Sequence, residues 1–490
     1  MPNTISIALS IAVSAAAFGL ASHPAHANDW NGFSVGIGGG YGVTNNEMKI
    51  GPGPDVTGIS GGLDINGLSG TGGFFTLGAG YDRVLYNKLL VGAFVDYDFA
   101  DIETKVSLGI PPADDLNASA KFKIDNQLSV GGKVGYLVSP TTVFFATGGY
   151  AHAETSDVDA SVSTASGGGS GTLASVGSFN GYFFGGGAET LIGKGFSVKA
   201  EYRYTSLEAE NATVLPGSGA SDFISASIKP QIQTARLSLN YRFGDDSNDA
   251  ATNPQPPIVN SNWTGPYIGI GAGYGVANNK ATVADRSSPP GSIFNVALDG
   301  LGSDGGLISG TVGYDLQLHT RYVIGAFFDA DFANLKNRNT LSLTDGIDTV
   351  GAGTISKFDN MLMVGGRFGY LVTPDTLVFG SVGYANVGMD PMTLNAGFSG
   401  ASTGIVLIDG QRFDGFFVGG GIETKIWESL SLKAEYRYVD LSRDEVTLLP
   451  NDLPQINQFI STKFDSTIQM GRLSLNYRFG ARETPDAPLK

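Results

Sequence analysis

The sequence contains no cysteine. A disulfide framework, a thiolate metal site, a thiol nucleophile and a lipid-bearing N-terminal cysteine are therefore excluded. Charge is scarce: Asp, Glu, Lys and Arg make up 16% of residues, below the ~25% usual in soluble domains. Bases are the scarcer sign, 30 against 46 acids, for a net charge of −16 and a pI near 4.6. That balance removes the basic face on which nucleic-acid binding depends. Past the N-terminus no apolar run is long enough for a transmembrane helix. What the chain has in abundance is glycine, 71 of 490 residues, and aromatics, 29 Phe and 19 Tyr among them. The glycines follow no G-X-Y period, which excludes collagen. A hydrophobic content of 42% argues against disorder.

Residues Ile5 to Ala21 form the one long charge-free apolar run, and Ala25-His26-Ala27 follows as a small-x-small site. The pattern is that of a secretory signal peptide cleaved after Ala27, with Ala25 and Ala27 as the cleavage residues. Its n-region, MPNT, lacks Lys and Arg. The alternative is an uncleaved anchor. An exported chain with no helical span still has one way into a membrane, the β-barrel.

The chain is one unit written twice. WNGFSVGIGGGYGVTNN from Trp30 returns as WTGPYIGIGAGYGVANN from Trp263, and VGGKVGYLVSP from Val130 as VGGRFGYLVTP from Val364. KAEYRY occurs at Lys199 and again at Lys433, and both units close on RLSLNYRFG, at Arg236 and Arg472. The offset stays between 233 and 236, so the copies are collinear. The expected organisation is a signal peptide over 1–27, a first repeat over 28–244, a linker rich in Asp, Asn and Pro over 245–262, a second repeat over 263–480 and a tail over 481–490.

Within each copy apolar residues alternate with polar or small ones. Leu237, Leu239, Tyr241 and Phe243 share one face of the last strand, Arg236, Ser238, Asn240 and Arg242 the other. A period of two means strand. Eight such runs fall near 31–43, 70–82, 88–100, 121–138, 142–153, 178–191, 195–207 and 230–244, with eight more at the repeat offset. Short turns (DRVLYN, SPTT, IGKG) alternate with long Gly/Ser/Asp/Pro segments near 44–69, 101–120, 154–177 and 208–229. Short periplasmic turns and longer outer loops are the signature of an outer-membrane barrel.

One set of alternates is apolar and suits lipid. The other carries the charges: Asp96, Asp98, Glu189 and Glu201 with Lys133, Lys199, Arg203, Arg236 and Arg242. The second copy repeats them as Asp329, Asp331, Glu423 and Glu435 with Arg367, Lys433, Arg437, Arg472 and Arg478. Mixed signs near balance are expected to pair across a narrow lumen, because an unpaired ion there is costly. Inward glycines such as Gly36, Gly38, Gly40, Gly131, Gly135 and Gly187 leave room for the long side chains, as in an eight-stranded barrel filled by its own residues. The competing reading makes the charges the lining of a wider pore. Aromatics at strand ends, among them Trp30, Phe33, Tyr41, Tyr97, Phe99, Tyr136, Tyr241 and Phe243, read as interfacial girdles.

These motifs carry a family resemblance. The opening strand from Trp30, the KAEYRY strand and a final strand ending NYRF look like the alphaproteobacterial outer-membrane β-barrel proteins, the porin-like surface antigens. The resemblance covers Trp30–Phe243 and again Trp263–Phe479. It implies an eight-stranded barrel in the bacterial outer membrane, in contact with its lipid and with the barrel-insertion machinery, and a structural or antigenic role. Some members are described as haem-binding, so haem or a host surface is a candidate ligand of the long loops. Family members carry one barrel and end on the final Phe, whereas here there are two copies and Phe479 is followed by GARETPDAPLK.

Enzyme chemistry has little to stand on. GIGGGYG and GIGAGYG lack the glycine spacing of a dinucleotide fingerprint, being broken by Tyr41 and Tyr274. His152, near Asp157 and Asp159, becomes Asn386 in the second copy, and His319 lies in a short turn. Acidic residues placed in loops, Asp114, Asp115, Asp304 and Asp348, follow no calcium-loop spacing and read as a solvated outer face. No catalytic residue, metal site or cofactor is assigned. The expected fold is all-β, two tandem eight-stranded up-and-down barrels, with one fused sixteen-stranded barrel acting as a diffusion porin as the alternative.

Overall fold

The computed structural model describes residues 30–480 except 59, 111–115, 165–166, 194, 244–261, 287–294, 345–347, 399–400, 444–445 and 451–453. The signal segment with Ala25 and Ala27, all of the linker but Asn262, Asp114, Asp115 and the C-terminal tail lie outside the described residues.

Period-two alternation gives strands throughout. The first copy builds its wall from β1 (Gly32–Pro52), β2 (Ser60–Leu85), β3 (Leu89–Ile110), β4 (Leu116–Ser139), β5 (Thr142–Thr155), β8 (Phe179–Gly193), β9 (Phe196–Leu207) and β12 (Gln231–Phe243). Four short strands stand beyond it: β6 (Val158–Thr164), β7 (Gly167–Ser175), β10 (Glu210–Val214) and β11 (Ile224–Lys229). The second wall comprises β13 (Gly265–Asp285), β14 (Asn295–Leu318), β15 (Tyr322–Thr344), β16 (Thr349–Thr373), β17 (Thr376–Met389), β20 (Gln411–Lys425), β21 (Leu430–Arg443) and β22 (Ile460–Arg478). Its outer additions are β18 (Met392–Phe398) and β19 (Ala401–Ile408). Among the described residues, all 22 strands belong to one antiparallel sheet.

Pairing runs around each wall in chain order and returns to the wall's own first strand. β1 pairs with β2 on one edge and with β12 on the other, where Phe33 faces Phe243 and Thr44 faces Ile232. β13 likewise pairs with β14 and with β22, Tyr267 facing Arg478 and Asp285 facing Ile460. Among the described residues the first strand of each wall is therefore paired on both edges.

The long segments expected as irregular loops are largely sheet. β2 is 26 residues long, where roughly 9–11 residues cross a membrane. The reason lies in residues such as Lys105-Val106-Ser107-Leu108 and Ala120-Lys121-Phe122-Lys123, which keep the alternation going between glycines. Above the crossing segment β4 therefore pairs β6, and β16 pairs β18.

Candidate functional site: closed interiors and an outer hairpin face

The interior of each ring is stratified, and the layers follow from what each inward position contributes. At the short-turn end of the first copy, Trp30 packs with Leu90, Leu137, Val143, Phe145 and Leu191, all of them buried. Its indole Nε1 donates to the carbonyl of Pro140 at 3.0 Å. Trp263, with Val323, Leu371, Leu377 and Phe379, repeats the arrangement and donates to Pro374 at 3.1 Å. Trp30 thus fills the interior of the ring and is no part of a lipid-facing girdle. An indole this large, placed where inward side chains converge, closes that end.

The middle layer is ionic. Asp82 accepts from Lys133 Nζ at 2.7 Å and from Arg242 Nη2 at 2.8 Å, and Glu189 lies 3.2 Å from the same ammonium. Arg203 bonds Asp96 at 2.8 Å and Glu201 at 3.0 Å, Arg236 reaches Asp98 at 3.0 Å, and Lys199 lies 3.6 Å from Glu201. In the second copy Arg367 bridges Asp315 and Glu423, the latter at 2.6 Å. Arg478 joins Asp315 at 2.6 Å and Arg437 joins Asp329 at 2.7 Å. Arg472 spans Asp329, Asp331 and Glu435, and Lys433 also reaches Glu435, at 3.1 Å. Every charged residue anticipated for the interior is inward-facing and paired. Sequence reasoning missed Asp82 and Asp315, because DRVLYN and DLQLHT were read as turns. Both strands run three residues further, and the parity Thr76, Gly78, Gly80, Asp82 carries the carboxylate inward. With them the count is five acids and five bases per copy, the balance a buried ionic layer needs.

The hairpin end is apolar. Ile102, Phe122, Ile124, Phe179, Phe183, Leu207 and Ile232 fill it in the first copy. Leu335, Phe358, Met361, Met389, Phe413, Leu441, Phe464 and Ile468 fill it in the second. Gly131 makes space here, since a Cβ on it would lie 2.6 Å from Phe183 Cζ.

One difference between the two interiors is the residue at Ser34, which is Tyr267 in the second copy. Tyr267 lies across Gly313, its cross-strand partner, within 5 Å of the Arg367 guanidinium carbon. The first copy has Ser34 opposite Gly80, and there a cavity of about 40 Å³ opens among Ser34, Gly80, Asp96 and Lys199. By the measure in which one water takes roughly 10–15 Å³, that is room for about three. Ser34→Tyr is expected to fill it as Tyr267 fills the second copy, raising stability by about 1 kcal/mol. An unchanged or lowered urea midpoint on unfolding from lipid vesicles would contradict this.

Outside the rings the alternates are apolar and bare: Phe33 is 67% exposed, Ile270 72% and Phe332 65%. A continuous apolar belt of this size belongs against lipid. Phe33, Phe99, Tyr136, Tyr241 and Phe243 are on it, as expected for girdle positions. Asp304 is not a solvated loop acid. It lies in β14, bonded by Tyr274 Oη and by Asn45 Nδ2. His152 Nδ1 meets Asn180 at 2.9 Å on the rim. On the outer hairpins Lys123 bonds Asp101 at 3.0 Å and Asp125 at 3.1 Å, and these hydrogen bonds hold its ammonium above the usual lysine range. Among the described residues no cluster of His, Asp or Glu has metal-binding geometry.

A lipid-facing antiparallel sheet whose strands turn tightly at one end and extend far at the other defines an outer-membrane β-barrel protein. Residues 12–243 and 250–479 each match the family described as Outer membrane protein beta-barrel domain, and the chain belongs to that family. It is 27% identical over 258 residues to the 31 kDa outer-membrane immunogenic protein of Brucella melitensis biotype 1, covering 52% of this chain and 98% of that one. The protein of the same name from Brucella suis biovar 1 gives the same figures. Among solved structures, the Pseudomonas putida toluene transporter TodX aligns over 91% of this chain and 90% of its own, at 10% identity and a TM-score of 0.24. Ail, the attachment invasion locus protein of Yersinia pestis, aligns over 42% of this chain and 99% of its own, at 14% identity and a TM-score of 0.18. The chain is a protein of the bacterial outer membrane.

Proposed function

We propose that this chain is a non-enzymatic scaffold of the outer membrane that displays a recognition and antigenic surface. In this reading residues 28–244 and 263–480 are two eight-stranded barrels side by side, joined by a linker over 245–262. The charged interior residues are scaffolding, and the outer hairpins are the working part. The observation that carries the reading is the filled interior: among the described residues a paired ionic layer lies between an indole plug and a layer of Phe, Ile and Leu, with Met in the second copy. Return of each wall's pairing to its own first strand supports two rings over one ring of sixteen. The antigenic part rests on likeness to the immunogenic relatives, and the outer hairpins are where a host-surface or haem ligand would bind.

The test is single-channel recording of the refolded mature chain in a planar bilayer. The expected result is silence. Stable, large, ohmic steps would overturn the closed-barrel reading and favour a sixteen-stranded diffusion porin.

A further inference from the structure

Gly67 and Gly300 are equivalent residues of the two copies, 233 positions apart. Each is the extra residue of a bulge: Asn46 faces Leu68 and Glu47 faces Asn66, and likewise Asn279 faces Leu301 and Lys280 faces Asp299. Their φ angles are +111° and +86°, a backbone region open to glycine and strained for other residues. A bulge of this kind bends its strand, and here the bend changes the strand's neighbour. Below Gly67, β2 pairs with β3 from Gly70 to Leu85. Above it, Ser60–Asn66 leave β3 and pair with Arg338–Thr344 of β15, in the other copy.

The second copy is split at the equivalent place. β14 pairs with β15 from Asp304 to Leu318, and above that Leu301 bridges Leu68. A Cβ on Gly300 would lie 2.6 Å from the Lys105 carbonyl oxygen and 3.3 Å from that of Ser69, so Gly300 sits in the split between β2 and β3. A Cβ on Gly67 would fall on the Gly302 carbonyl and lie 2.5 Å from Asn337 Nδ2, in the split between β14 and β15. Asn337 Nδ2 donates to the Asn66 carbonyl at 3.0 Å, and Asn66 N donates to Asn339 Oδ1 at 3.1 Å.

The crossing stands at the top of a continuous seam. At the short-turn end the equivalent hydroxyls Thr142 Oγ1 and Thr376 Oγ1 are 2.9 Å apart, and higher up Tyr204 meets Tyr274 at 6.2 Å between centroids. A line along the membrane normal crosses successive strands when strands tilt by about 40°. The seam does so, passing from β5 through β9 to β2. Lipid-facing parity on that line is covered: Val198 is 5% exposed and Ile422 1%.

We propose that the first outer hairpins of the two copies are exchanged at a glycine-hinged crossing, so that the extracellular surface is one interlocked platform. The inference rests on the two-barrel reading above, and the partner of each hairpin is the other copy in the same chain.

Cysteine pairs test it cleanly, because the chain has no cysteine of its own. Three pairs are introduced separately into the full chain in outer membranes, oxidised, and read as mobility shifts on non-reducing gels. Val35→Cys with Tyr241→Cys reports ring closure. Leu63→Cys with Leu341→Cys reports the exchange. Leu68→Cys with Val106→Cys continues the register in which Gly70 faces Thr104, and reports an unexchanged hairpin. The first two are expected to cross-link within one chain and the third to stay reduced. Failure of the first pair overturns the two-barrel reading itself. Ring closure together with cross-linking of the third pair in place of the second overturns the exchange, as does a dimer-sized band from the second pair. Adding Gly67→Val and Gly300→Val is expected to abolish the Leu63/Leu341 cross-link while the Val35/Tyr241 cross-link persists. Persistence of both would also count against the hinge.

Discussion

Glu435→Leu is expected to destabilise the protein by about 3–5 kcal/mol, the range for removing one member of a buried ionic group. Glu435 accepts from Arg437 and Arg472 at 2.7 Å each and lies 3.1 Å from Lys433. After the substitution Arg437 keeps Asp329, and Arg472 keeps Asp329 and Asp331. Lys433 loses the carboxylate it reaches. Its ammonium would stay buried over the Phe379 ring without a direct ion pair, leaving only the more distant Glu423 and Asp329 to offset its charge. Removing the cation as well, in Glu435→Leu with Lys433→Leu, is expected to cost less than the single change, because a buried pair can be replaced by apolar residues far more cheaply than it can be broken. Urea titration from lipid vesicles, read by the gel-mobility difference between folded and unfolded barrel, measures both. A single-variant cost below about 1 kcal/mol would mean that the layer is hydrated and that the interior is a water-filled channel. Conductance is expected to stay silent in both variants, since leucine replaces volume as well as charge.

The wall of the fold was legible because lipid outside and side chains inside impose strict alternation, and alternation survives in residues such as Leu237 to Phe243. The repeat was legible in the same way. Three features were hidden, each for a physical reason. Asp82 and Asp315 sit at the ends of strands, where a GYD or YNK string looks like a turn, so the acid that balances each ionic layer went uncounted. The apolar layer at the hairpin end was obscured because Phe122 and Ile124 alternate with Lys and Asp at the end of an expected strand, and Ile102 fell in a segment read as a loop. The crossing at Gly67 and Gly300 is a tertiary event. In a chain with 71 glycines, nothing local marks two of them as hinges, although their equivalence across the repeat was present in NGLSG and DGLGS. Trp30 was placed on the wrong side of the wall, since a tryptophan at a strand end fits an interfacial girdle equally well.

Trp30→Ala is the second large effect expected, about 3–5 kcal/mol, the usual cost of deleting a buried aromatic side chain. Trp30 is fully buried, and three things depend on it. It fills the space between Leu90, Leu137, Val143 and Leu191. Its Nε1 satisfies the Pro140 carbonyl in the turn before β5. Its ring lies 5.0 Å from the Arg242 guanidinium carbon, one edge of the ionic layer. Trp30→Phe keeps most of the volume and a face for Arg242 and loses the hydrogen bond, so its cost should be clearly smaller than that of Trp30→Ala. The ordering Ala worse than Phe, measured by the same urea titration, distinguishes an interior plug from a surface girdle. A girdle residue would lose little in either variant and would shift depth against lipid instead. Because the ionic layer still spans the interior, Trp30→Ala is expected to remain non-conducting. A new steady conductance in that variant would mean that the indole alone seals the barrel and that the charges behind it admit ions.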